Sequence, residues 1–169
     1  MVQLTVQPSR DRAAQRSIFG QLLYLQHELG PEGLSAFVQL YHDQSLSSGF
    51  LGAGRQIGDF QLAIAVGPAR FGDRTHLTLN PWVYYVKGDI EGSLYAERYL
   101  GKTDAPWYFK GHAQKLFENG LIVGVYGETG VGGGPMIGYQ IVKSTSLTFT
   151  VPVIARSGLA GVAILRFDF

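Results

Sequence analysis

Apolar residues recur at every second position through most of this chain, and clusters of turn-forming residues cut the runs at short intervals. "DFQLAIAVGPA" sets Phe60, Leu62, Ile64 and Val66 on one face and Gln61, Ala63, Ala65 and Gly67 on the other. "HLTLNPWVYYV" repeats the pattern with Leu77, Leu79, Pro81, Val83 and Tyr85 against His76, Thr78, Asn80, Trp82 and Tyr84. Side chains of a strand alternate between two faces, so this period predicts an all-β fold. Cutting at every turn signal gives about twelve segments: 2–7, 17–29, 34–44, 48–57, 59–69, 75–87, 89–100, 106–117, 120–128, 134–143, 146–155 and 159–169. Gly58-Asp59, Gly88-Asp89, "ENG" at 118–120 and "STS" at 144–146 are tight connections, while "RFGDRT", "GKTDAP" and "TGVGGG" are longer. Tight turns at one end and longer loops at the other predict an up-and-down meander.

The first quarter reads two ways. Ala14, Ile18, Leu22, Leu25 and Leu29 have helical spacing, and Leu34, Phe37, Val38 and Tyr41 could follow Pro31 in a second short helix. A hairpin instead joins "FGQLLYLQHEL" to "LSAFVQLYHDQ" through "GPEG". The hairpin is preferred, because Gly20 weakens a helix interior and removing these strands leaves a gap in the barrel. With helices over 12–45 the strand count would fall to about ten.

Alternation alone does not say which face is wet. Charged residues make up only 16% of the chain, against roughly 25% in an average soluble domain, so a charged exterior would be thin. A membrane barrel inverts the order, with an apolar, aromatic-flanked outside and a polar interior. Trp82, Tyr84, Tyr85, Tyr99, Trp107, Tyr108, Phe109, Phe117, Phe167 and Phe169 fall near segment ends and are candidates for interfacial girdles. Gly124, Gly138, Ala63, Ala65 and Gly67 on the proposed inner face either make room for long side chains or mark sheet curvature. The net charge of +1 supplies no field for nucleic acid, and the absence of cysteine removes disulfides and thiolate chemistry. No apolar run is long enough for a membrane-spanning helix. The start "MVQLTVQPSRDR" lacks the basic and apolar regions of a secretory signal, so either the protein stays in the cytosol or the chain is a mature form, and the 169 residues are read as one domain, 1–169.

The final segment is the most specific. "LAGVAILRFDF" alternates Gly161, Ala163, Leu165, Phe167 and Phe169 and stops on the aromatic with no polar tail. In this the chain resembles Gram-negative outer-membrane β-barrel proteins. The resemblance implies a closed antiparallel up-and-down transmembrane β-barrel in the outer membrane, with about twelve strands. It further implies the lipid bilayer as a partner and a barrel-assembly machinery that reads Phe167 and Phe169 as its signal. The outer connections are short for this class, which argues against surface-loop functions such as adhesion.

Candidate chemistry is sparse. His27, His42, His76 and His112 show no metal-ligand spacing, and neither metal nor cofactor is expected. "HDQS" places His42, Asp43 and Ser45 at one rim, the first residues to consider for a rim hydrolase. "GETGVGGGP" lacks the G-K-[ST] ending of a phosphate loop and reads as a barrel loop. The candidate pore-lining residues are His76, Asn80, Glu91, Glu97, Lys110, His112, Gln114, Tyr126, Glu128, Gln140, Arg166 and Asp168. Such mixed charges can line a narrow channel or pair across the interior and plug it. The leading expectation is a narrow channel for a small solute, or the exit port or anchor of a system exporting a polymer. The alternatives are an outer-membrane enzyme acting on lipid or peptide at the rim and a soluble lipocalin-like barrel.

Overall fold

The computed structural model describes residues 2–7, 18–29, 33–42, 46–71, 74–101, 107–129, 132–151, 153–155 and 162–167. Among the described residues, thirteen strands form one antiparallel sheet. They are β1 (Val2–Gln7), β2 (Ile18–Glu28), β3 (Leu34–His42), β4 (Leu46–Ile57), β5 (Phe60–Phe71), β6 (Arg74–Lys87) and β7 (Ile90–Tyr99). The remainder are β8 (Tyr108–Leu116), β9 (Leu121–Glu128), β10 (Gly132–Val142), β11 (Thr145–Thr150), β12 (Ile154–Ala155) and β13 (Val162–Phe167). β2 and β3 pair from Gln21↔His42 to Glu28↔Ser35, so the described part of the first quarter is a hairpin and the helical reading fails there; Ala14 lies outside the described residues.

The tight turns form as their residues require. Ile57 pairs with Phe60 and Lys87 with Ile90, leaving two-residue loops in which Gly58 (φ 59°) and Gly88 (φ 58°) take the left-handed conformation. Glycine at the first central position is the signature of the hairpin turn whose twist matches the flanking strands. Beside the second turn the Lys115 ammonium, 3.0 Å from the Asp89 carboxylate, holds that exposed acid below its ordinary pKa.

A closed up-and-down ring of about twelve strands is not what forms. The sheet order runs β11-β13-β1 and then in sequence to β10 and β12. The β10–β11 hairpin, from Met136↔Thr150 to Val142↔Thr145, draws the two ends of that order together beside its turn. Toward the opposite rim the sheet is not closed: β12 pairs only with Gly132 and Gly133 of β10 among the described residues, and β13 begins at Val162 opposite Thr150. The expected segment 146–155 is divided between β11 and β12, and between them Val151 and Val153 still donate to Pro135 and Gly133 of β10.

The apolar rows point outward. Leu51, Leu62, Ile64, Val66, Leu77, Leu94, Val125, Ile137 and Leu147 are all exposed, whereas Ala63, Ala65, Asn80, Thr78, Glu97 and Tyr126 are buried on the opposite face. A soluble lipocalin-like barrel has the reverse polarity, so that alternative is not supported. Phe60 and Tyr85, with ring centroids 4.9 Å apart, mark the outer surface near the tight turns; exposed Trp107 and Phe109, at 6.1 Å, mark it near the longer connections. Four of the expected girdle residues, Trp82, Tyr84, Tyr99 and Tyr108, face the other way, Tyr99 in register with buried Thr78 and Tyr108 bonded to Glu128. Trp82 packs on the buried cluster of Phe37, Phe50, Ala63 and Ala65, and Tyr84 shares its inner row.

Small residues on the inner face serve two purposes. A Cβ on Gly52 would meet the ring of Phe37, so this glycine makes room for a side chain. A Cβ on Gly67 would meet the backbone carbonyl of Gly49, so that glycine permits close approach of two strands where the β4–β5 ladder is irregular. Gly127 on the outer face has nothing within 4 Å of an added Cβ. Gly67→Ala is expected to lower stability by about 1–3 kcal/mol, the usual cost of overpacking, while Gly127→Ala stays near wild type. Urea unfolding of the detergent-refolded protein, followed by tryptophan fluorescence, checks this; equal midpoints would refute the close approach.

Candidate functional site: a paired polar interior

Alternation on β6–β9 and β13 projects ionisable side chains toward the interior at two levels. Near the tight turns lie Tyr84, Glu91, Ser93, His112, Gln114 and Arg166. Tyr84, Ser93 and His112 sit side by side on three neighbouring strands, because Tyr84 is in register with Ser93 and Ser93 with His112. Glu91 lies one inward position closer to the turn, opposite Gln114. His112 Nδ1 is 2.9 Å from Ser93 Oγ, and its Nε2 is 3.2 Å from Glu91 Oε1. Arg166 Nη1 donates to the same Glu91 oxygen at 2.5 Å.

That last contact crosses the interior. Arg166 is on β13 and Glu91 on β7; β1–β6 separate them along the sheet order on one side, and β8–β11 on the other through the β10–β11 pairing. The three side chains retain 21–24% of their exposure, so the pair is partly hydrated. Pairing offsets the cost of removing both charges from bulk water, and the second donor, His112, satisfies the carboxylate further.

Farther along the strands, carboxylates meet phenols. Tyr95 donates to Glu97 at 2.7 Å, Tyr108 to Glu128 at 2.6 Å, and Tyr126 to the other oxygen of Glu128. Lys110 Nζ lies 5.9 Å from the centroid of the Tyr126 ring. Tyr126 also packs with Met136 and Val162, and Ile164 adds to this cluster, so apolar contacts fill the interior beside the polar ones. The amide nitrogen of Asn80 is buried and has no hydrogen-bond partner among the described residues.

His76, Asn80, Glu91, Glu97, Lys110, His112, Gln114, Tyr126, Glu128, Gln140 and Arg166 all occupy the row opposite the exposed apolar one. The interior network brings together Glu91, His112 and Arg166 through one set of contacts and Tyr126 and Glu128 through another. Gln140 instead donates to the backbone oxygen of Lys143 in a tight turn, and His76 stacks obliquely with Tyr99 at 5.0 Å. Asp168 and Phe169 lie outside the described residues, and Phe167 is at the end of β13 opposite Val2. Ser93, Tyr84 and Tyr108 were missing from the sequence-derived set. Alternation through Glu91, Ser93, Tyr95 and Glu97 was the signal that could have found Ser93. Among the described residues no group of His, Asp and Glu could hold a metal ion.

At the rim, His42 Nδ1 is 2.8 Å from Ser47 Oγ, and both residues are exposed. The partner there is Ser47, whereas Asp43 and Ser45 lie outside the described residues.

The fold is that of outer-membrane β-barrel proteins. The KdgM porin matches with a TM-score of 0.63 at 10% identity, over 99% of this chain and 98% of the porin. An active-site mutant of outer membrane phospholipase A from Escherichia coli matches with a TM-score of 0.61 at 11% identity, over 99% of this chain and 90% of the other. The Salmonella typhi outer membrane phospholipase, solved as a dimer with bound calcium, matches at 0.57 and 10% identity, over 99% and 90%. No family model and no curated protein matches the chain.

Removing one partner of the cross-interior pair leaves the other charge without compensation. Arg166→Gln and Glu91→Gln are each expected to destabilise the protein, with a coupling of about 1–3 kcal/mol in the double-mutant cycle. Unfolding in detergent measures it; additive effects would show that the two side chains do not meet.

Proposed function

We propose that this chain resides in the outer membrane and forms a narrow polar conduit for small solutes, restricted by the Glu91–Arg166 pair. The observation that carries the reading is the 2.5 Å contact between side chains on opposing walls of a polar interior. A bridge at that level leaves space only beside it, which favours small polar solutes over an exported polymer. Mixed charges, including Lys110, His112, Glu97 and Glu128, give the passage no single sign to select strongly for anions or cations. The apolar outer rows contact the bilayer, and the alternating sequence that carries Phe167 and Phe169 is the part that barrel-assembly machinery would read.

A second reading, an enzyme acting on lipid at the barrel rim, has support of its own. His42 and Ser47 pair on the exposed outer face near the end of their strands, where a lipid ester could approach a base and a hydroxyl together. Phospholipases A among the similarly folded structures favour this reading over an export port.

Refolding in detergent is expected to give a β-rich form whose gel mobility changes on boiling; a monodisperse β protein in plain buffer would refute membrane residence. In planar bilayers Arg166→Ala is expected to raise single-channel conductance above the wild-type level. Unchanged conductance would refute the restriction, and phospholipid hydrolysis lost in Ser47→Ala would establish the rim enzyme instead.

A further inference from the structure

The structure assigns to Ser93, His112 and Glu91 a second role beyond solute passage: an ester-hydrolysing site inside the barrel, near its tight-turn mouth, with Ser93 as nucleophile. The orientation of the histidine carries the argument. A carboxylate ion-paired with Arg166 can only accept hydrogen bonds, so His112 Nε2 must carry the proton it directs at Glu91 Oε1, 3.2 Å away. Neutral His112 then presents its Nδ1 lone pair to the Ser93 hydroxyl at 2.9 Å. Nucleophile, base and orienting acid therefore stand in sequence, held on two adjacent strands whose ladder fixes Ser93 opposite His112.

The surroundings suit an acyl transfer. Tyr84 is in register with Ser93 on the other side, and its hydroxyl interacts with both Glu91 and Arg166. In this assignment the Tyr84 phenol, across the ladder from Ser93, is the donor for the oxyanion that develops on an attacked carbonyl. Glu91 is the second residue after the Gly88-Asp89 turn, so the site lies close to the mouth, and its side chains are partly exposed. This position suits a small carboxylic ester arriving from the tight-turn side.

The chemistry balances without a further reactant except water. Ser93 Oγ bonds to the ester carbonyl carbon as its proton passes to His112 Nδ1, and the carbon–oxygen bond to the leaving alcohol breaks as His112 returns that proton to the alkoxide. Water then attacks the acyl-serine, giving its proton to His112; the acyl–Oγ bond breaks, and His112 reprotonates Ser93. Glu91 is a positioning residue, as is Arg166 through Glu91.

The test is to treat the detergent-folded full chain with a short-chain fluorophosphonate and locate the label by peptide mass spectrometry. The expected result is modification of Ser93, lost in Ser93→Ala, and slowed about 100-fold or more in His112→Asn, within the usual range for removal of a general base. The heat-dependent gel shift verifies folding of each variant. Wild-type protein that is folded and unlabelled at Ser93 overturns the assignment, as does label found only at another serine. Labelling of Ser93 at an unchanged rate in folded His112→Asn overturns the role of the histidine.

Discussion

A chain that turns its apolar rows outward must satisfy its polar groups within itself. Backbone donors and acceptors do so through the ladders, each strand from β1 to β11 pairing with its neighbour or with β13. Side chains on the inner face meet the same demand in a space with limited water. Carboxylates there are consequently not isolated: Glu91 takes donors from His112 and Arg166, Glu97 takes Tyr95, and Glu128 takes Tyr108 and Tyr126.

The ion pair between Glu91 and Arg166 links that demand to function. Because its partners belong to strands far apart in the sheet order, it ties the walls together, and in the proposed conduit it narrows what can pass. The same guanidinium keeps the carboxylate in the acceptor-only form that orients His112. One interaction thus supports both the proposed conduit and the proposed hydrolytic site, although the two depend on different residues beyond it: the conduit on the open cross-section, the site on Ser93.

Much of the wall was legible. The two-residue turns at Gly58-Asp59 and Gly88-Asp89, the faces of β5 and β6, and the inner placement of residues such as Glu91 and His112 follow from a period of two once the direction of one residue is known. Low charge density and the terminal alternation supplied that direction. The misplacement of Trp82, Tyr84, Tyr99 and Tyr108 in a girdle has a definite origin: proximity to a segment end was weighed above parity, and parity decides the face. The simple ring failed at 146–155, where the sheet order ends in the short β12.

The sequence by itself determined strand period, turn sites and the sorting of side chains between an apolar and a polar row, because these depend on neighbours along the chain. Only the tertiary structure decided which polar groups meet. Arg166 and Glu91 are 75 residues apart, and Ser93 and His112 are 19 apart. Their contact depends on strand order, register and the curvature that brings distant walls within a side chain's reach. Those are properties of the whole sheet, and no local pattern encodes them.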